Sequence, residues 1–157
     1  MSPMVFFKKA VPANAEQLTQ IATRCFAEDV QKYGEGPAGH DQPDQHILFM
    51  QKAHYYTILL DDQIVGGFCL IPVDHEHLEL GIIYVDPDKQ NMRIGSQTMQ
   101  FMEAAYPHIK KWTLDTGYEA VRNQHFYEKC GYKKVGETEP NATNGFYKFR
   151  YEKRIPK

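Results

Sequence analysis

Two short stretches hold residues that could do chemistry. The first, VDPDKQNMRIGS at positions 85–96, is a polar turn that leaves an apolar strand, passes Pro87 and enters an amphipathic helix. A helix N-terminus leaves backbone N–H groups without partners and carries partial positive charge, so a turn feeding into it can aim several donors at one anion. Gly95 allows close backbone approach, Ser96 adds a hydroxyl, and Arg93 adds a long cation. Such a turn suits phosphate oxygens, although a strand–turn–helix connection with one glycine is also a common way to join two elements. The second stretch, HEHLE, places His75, His77 and Glu79 at alternate positions. On a strand all three point the same way, which makes a candidate zinc face. No further ligand cluster accompanies them, so no metal is expected, and the histidines could instead shape a binding pocket or its proton path.

These residues need elements to hold them. Residues 4–11 read as a strand ended by Pro12. Leu18, Ile21, Cys25 and Phe26 recur at helical spacing within 14–30, with Asn14 as the expected cap. A Gly/Pro-rich loop over 33–43 precedes a short helix over 44–53, with Asp44 as its expected cap. Two strands joined at Asp61-Asp62 form a hairpin, and HLELGIIYV (77–85) is a third strand ended by Asp86-Pro87. A helix from Ile94 to Tyr106 stops at Pro107. A strand over 110–116, a helix stopped by Gly131, and the closing strands KKVGE and GFYKFRYEKR complete the chain. The pattern predicts an α/β (α+β) fold in one domain over 1–157. It consists of a single mixed, mostly antiparallel central sheet of six to seven strands with helices on both faces.

Composition narrows the partners. The 157 residues are 42% hydrophobic, enough for a sizeable core, and the net charge of −2 shows no basic excess for nucleic acid. The longest nearly apolar run, residues 64–73, is too short to span a bilayer. Three widely spaced cysteines with no CxxC pair suit a reduced compartment, and no signal-peptide pattern opens the chain. A soluble cytoplasmic protein with a small-molecule or peptide partner is expected, without nucleic acid or membrane. The Pro12-Ala13-Asn14 turn after the first strand is not Gly-rich, which argues against a dinucleotide-binding fold.

A further stretch, NQHFYEKCGYKKVGE, follows the first by about thirty residues. Together the two resemble the GNAT (N-acetyltransferase) superfamily. Val85, Pro87, Gln90 and Gly95 fit its pyrophosphate-binding pattern V-x-P-x-x-[QR]-x-x-[GA]-x-[GA], and Phe126, Tyr127, Lys129, Gly131 and Tyr132 fit its F/L-Y-x-K-x-G-F/Y pattern. The order of elements also fits over the whole chain. Two positions depart from the family: Arg93 stands where a glycine is most frequent, and Ala120 where an asparagine is frequent.

The resemblance implies an acetyltransferase that uses acetyl-CoA as co-substrate and a primary amine, of a small molecule or a peptide, as acceptor. It implies cofactor contacts from the backbone of Ile83, Tyr84 and Val85, and from Gln90, Asn91, Met92, Arg93, Ile94, Gly95 and Ser96. Asn123, four residues before Tyr127, either joins them or caps its helix. Glu79, eleven residues before Gln90, is the implied general base, acting directly or through water, and Tyr127 the implied general acid to the CoA thiolate. As plain residues, Glu79 also reads as a solvated edge carboxylate and Tyr127 as a half-buried aromatic. The alternative function is a non-catalytic acyl-CoA-binding or sensing module on the same fold, favoured by Arg93 and Ala120 and disfavoured by the presence of Glu79 and Tyr127. Glu28, Asp29, Glu35, Asp41 and Asp44 could attract a cationic amine or form a solvated acidic loop, and Tyr33, Tyr55 and Tyr56 could line a pocket or sit in the core. Exposed sheet edges leave room for a homodimer.

Overall fold

Seven strands and five helices follow one another in the computed structural model, which describes residues 4–90 and 92–156. In chain order they are β1 (Val5–Lys9), α1 (Ala15–Cys25), α2 (Ala27–Tyr33), α3 (Pro43–Lys52), β2 (His54–Leu60), β3 (Gln63–Asp74) and β4 (His77–Val85). There follow α4 (Ile94–Ala105), β5 (Lys111–Gly117), α5 (Val121–Lys129), β6 (Lys133–Glu137) and β7 (Lys148–Arg154). All strands join one sheet in the order β1-β2-β3-β4-β5-β7-β6, antiparallel except for the β4–β5 pair.

Local sequence explains most of these elements. Asp61 and Asp62 both take positive φ, 50° and 68°, which closes the β2–β3 hairpin with the twist that flanking strands prefer. Pro43 opens α3 at the position where its missing N–H costs nothing, so the helix starts with Gln42 at its cap and Asp44 falls inside the first turn instead of capping it. Asn14 does stand at the N-cap of α1, but its side chain makes no capping bond to that helix; it accepts from the Val11 N–H at 2.9 Å and closes the preceding turn. The periodic segment over 14–30 is not one helix. It bends at Phe26, whose φ of −101° and ψ of 11° leave the helical region, and the ring packs edge-on against His40 and Tyr84.

Two cores lie on opposite faces of the sheet. On one face Trp112, Leu78, Leu80, Leu114 and Phe68 pack with Met99 and Met102 of α4 and Tyr127 of α5. On the other, Leu18, Ile21 and Ala22 of α1 pack with Tyr55, Cys69 and Tyr84. Alternation along β4 explains how one strand serves both: Leu78 and Leu80 belong to the first core, Tyr84 to the second. The change of parity comes from a bulge. Cys69 of β3 faces Ile82 while its neighbour Leu70 faces Leu80, so Gly81 has no partner in the ladder. A Cβ at Gly81 would sit 2.6 Å from Cδ1 of Ile71, so a larger residue at the bulge would require that side chain to move.

Candidate active site

The bulge coincides with the end of the β4–β5 ladder. These parallel strands pair only from His77–Lys111 to Leu80–Leu114, then separate, while β4 stays paired to β3 as far as Val85. From Gly81 onward β4 therefore has one unpaired edge. A cleft of about 690 Å³ opens along it, lined by Leu80–Ile83 on one side and by Leu114–Gly117, Asn123 and Tyr127 on the other. An unpaired edge of this kind can accept a further extended chain as a strand would, through its backbone N–H and C=O groups.

At the far end of β4 the polar turn enters α4. Its first part is braced: the Asp86 side chain accepts from the Asp88 N–H at 2.9 Å, and Arg24 of α1 reaches Asp86 at 3.0 Å and Asp88 at 3.1 Å. The Gln90 amide donates to the Val85 carbonyl at 3.3 Å. Arg93 is the N-cap of α4 and takes the left-handed conformation, φ 58° and ψ 23°. That is the conformation for which glycine carries no Cβ penalty, and it costs an L residue about 1–2 kcal/mol. No side chain caps α4, and its first turn holds no acidic residue. The Gln97 N–H is the first to bond back, to the Arg93 carbonyl at 3.1 Å, so those of Ile94, Gly95 and Ser96 point out of the helix end. Ile94 is buried and anchors the turn, while Met92, Arg93 and Ser96 are exposed. Asn91 lies outside the described residues.

The two sequence motifs meet in space. A Cβ on Gly95 would lie 3.2 Å from Cζ of Phe126, so the missing side chain lets α4 and α5 pack closely. The next residue, Tyr127, is 7% exposed and lines the cleft, and burial pushes its phenol upward, so it is protonated at neutral pH. Its hydroxyl makes no hydrogen bond to the described residues. Asn123 is exposed, lines the same cleft and makes no capping hydrogen bond; the N-cap of α5 is Ala120.

Glu79 lies on the paired half of β4 and is not itself among the residues lining the cleft. Its Oε1 accepts from the Thr113 hydroxyl at 3.0 Å and faces Arg150 Nη2 at 3.4 Å. Thr113 also contacts His77 Nε2 at 2.7 Å. Arg150 Nη1 lies 3.2 Å from each oxygen of Asp115; it hydrogen-bonds Oδ2, whereas Oδ1 is buried without a hydrogen bond of its own. Asp115 does line the cleft. Burial raises its carboxyl, opposed by Arg150 and reinforced by Glu79. Asp115 and Arg150 were not among the residues singled out from sequence. The signal available was the alternation on β5 and β7, where Asp115 and Arg150 are register partners, but that register appears only once the sheet is assembled.

The acidic residues divide. Glu28, Asp29 and Glu35 line the cleft, with Tyr33, while Asp41 and Asp44 do not. Contacts join the two sides of the cleft here: Lys32 pairs with Glu119, the Tyr33 and Phe146 rings lie tilted at 53° with centroids 4.6 Å apart, and Asn144 donates to the Tyr33 carbonyl at 2.9 Å. Tyr56 is core and bonds Tyr106 at 2.6 Å, while Tyr55 walls a smaller cavity. Among the described residues no group of three or more His, Cys, Asp or Glu could hold a metal ion, and no helix is long and apolar enough to cross a membrane.

Comparison with known proteins places this geometry in context. Residues 15–132 match the profile of the acetyltransferase (GNAT) family. The chain is 30% identical over 136 residues to the uncharacterized protein YrkN of Bacillus subtilis (strain 168), covering 83% of this chain and 74% of that one. Among solved structures it resembles the PaiA N-acetyltransferase of Thermoplasma acidophilum in complex with coenzyme A, with a TM-score of 0.77 at 15% identity over 97% and 99% of the two chains. An aminoglycoside 6'-N-acetyltransferase complexed with coenzyme A gives a TM-score of 0.73 at 17% identity over 97% and 98%.

Proposed function

The chain belongs to the acetyltransferase (GNAT) family, and on that premise we propose that it moves an acetyl group from acetyl-CoA directly to a primary amine. The observation that carries this reading is the separation of β4 from β5 opposite a buried, unpaired phenol. The open edge from Gly81 to Val85 offers backbone donors and acceptors to an extended arm, and the uncapped start of α4 offers N–H groups and Arg93 to its phosphates. Both solved relatives described above are complexes with coenzyme A, which supports assigning it to this cleft.

Transfer needs a free amine lone pair, a place for the oxyanion and a proton for the leaving sulfur. Glu79 is the base. Because it stands behind the cleft wall, it takes the ammonium proton through water, within the network that joins it to Arg150 and Asp115. The amine nitrogen then bonds the carbonyl carbon, and the resulting oxyanion is met by an N–H of the open half of β4. The C–S bond breaks, and Tyr127 gives its phenolic proton to the departing thiolate. The amide nitrogen sheds its second proton to water, water reprotonates Tyr127, and Glu79 gives its proton to solvent, closing the cycle.

Steady-state CoA release over an amine panel tests the assignment. The wild type turns over at least one amine, while Glu79→Gln and Tyr127→Phe lose turnover with acetyl-CoA affinity kept. Unchanged turnover in either variant would remove that residue from its role.

A further inference from the structure

We infer that the acceptor is a small primary amine with a compact apolar body, and that a side pocket beneath α3 receives that body. The inference rests on the acetyl-transfer reading above. The pocket has a volume of about 210 Å³, roughly seven waters by their share of the liquid. It shares Pro37, Ala38, Gly81, Ile82 and Lys148 with the main cleft, so the two are continuous. Their junction includes Gly81, where β4 leaves β5. A group lodged in the pocket is therefore tethered within reach of the bond-forming end of the open edge.

The chemistry of the lining selects the class of ligand. Phe49, Ile71 and Cys69 supply apolar walls. Of the polar side chains behind them, His46 and Tyr55 are already paired, while His40 Nε2 is buried without a hydrogen-bond partner among the described residues. His46 Nε2 lies 2.7 Å from the His40 carbonyl, so this nitrogen carries the hydrogen and Nδ1 accepts from the Tyr55 hydroxyl at 2.6 Å. Tyr55 in turn accepts from the Tyr84 hydroxyl, and burial keeps His46 neutral. Every donor in this chain is spent. A sugar or a second ammonium entering the pocket would lose several hydrogen bonds to water and find one free acceptor, His40 Nε2, whereas a branched aliphatic or phenyl group would only gain by burial. The rim adds a bias of its own. Lys148 lines both cavities, and its ammonium makes no ion pair with the described residues, so a second cation would meet like charge on entering.

The test reads binding rather than turnover, on the whole chain held as its complex with CoA. Calorimetric titration compares 2-phenylethylamine and isopentylamine with spermidine and glucosamine. The apolar pair is expected to bind at least about tenfold more tightly. Ala38 is exposed, so Ala38→Trp occludes the pocket without disturbing a core, and it lowers 2-phenylethylamine affinity about tenfold. Phe49→Ala widens the pocket and shifts preference to a naphthyl amine. Circular dichroism and CoA binding confirm that each variant folds. Equal or tighter binding of spermidine, or 2-phenylethylamine binding indifferent to both substitutions, would overturn the inference. Tight apolar binding without turnover would refute the catalytic reading alone, and turnover of spermidine with no apolar binding would refute the pocket alone.

Discussion

The two halves of β4 do different work with the same backbone. From His77 to Leu80 the strand is paired on both sides, its backbone is consumed by the sheet, and only side chains are left to act. There Glu79 and His77 are fixed through Thr113 and Arg150. From Gly81 to Val85 the strand is paired on one side only, its side chains go to the two cores, and the backbone is what remains available. One glycine bulge separates the halves. A sheet can thus leave side chains available on one half and backbone groups on the other within nine residues of one strand, provided that its neighbour departs at the right point.

The largest effect is expected on the paired half. Glu79→Gln keeps the Thr113 and Arg150 contacts feasible but removes the proposed base, and kcat/KM should fall about 10³-fold. Its acetyl-CoA affinity should not change, because the open half is untouched; a parallel loss of both would mean that the two halves are not separable. Tyr127→Phe acts across from the open half and should lower kcat about 10²-fold with little change in melting temperature. Equal loss of kcat and of stability would instead mark Tyr127 as a packing residue.

Arg93 sharpens the comparison at the far end of the open half. Arg93→Ala should weaken CoA binding about two- to fivefold at low salt, with the difference fading at high salt. Unchanged affinity at low salt would mean that the residue is only tolerated there. Arg93→Gly removes the same charge but also relieves the left-handed conformation, so its fold should gain about 1 kcal/mol by chemical denaturation while CoA binding weakens as in the alanine variant.

The smallest effect concerns how the open half is anchored. Tyr84 reaches His46 through Tyr55, and burial lowers the His46 pKa below its ordinary 6.5. The unfolded chain then binds a proton that the fold refuses. This stability is present above pH 6.5 and is lost as pH falls from there through the folded value. Melting temperature should decline across that window in the wild type and decline less in His46→Gln.

The strand and helix pattern was legible because alternation and helical spacing are strong here, and the two motifs were legible as residue strings. Their meeting was not: Gly95 against Phe126 is a contact between helices 31 residues apart in sequence. Arg24, which braces the turn from α1, is 62 positions from Asp86 and carries no local signal. The ion-pair network of Glu79 depends on the register of β5 with β7, which hydrophobic spacing leaves open. The sequence did pick out Arg93 as the residue that must tolerate a glycine's geometry, because the family pattern supplied the comparison. The backbone contacts expected from sequence begin at Ile83, whereas the unpaired edge begins two residues earlier, at Gly81, because a bulge leaves no trace in periodicity beyond the glycine itself.

The most direct test is CoA release by the purified protein with acetyl-CoA and the amine panel, paired with mass spectrometry of the amine. We expect amine-dependent release matched one for one by acetylated product, and its loss in Glu79→Gln. Tight acetyl-CoA binding with no amine-dependent release across the panel would contradict transfer and leave a cofactor-binding module.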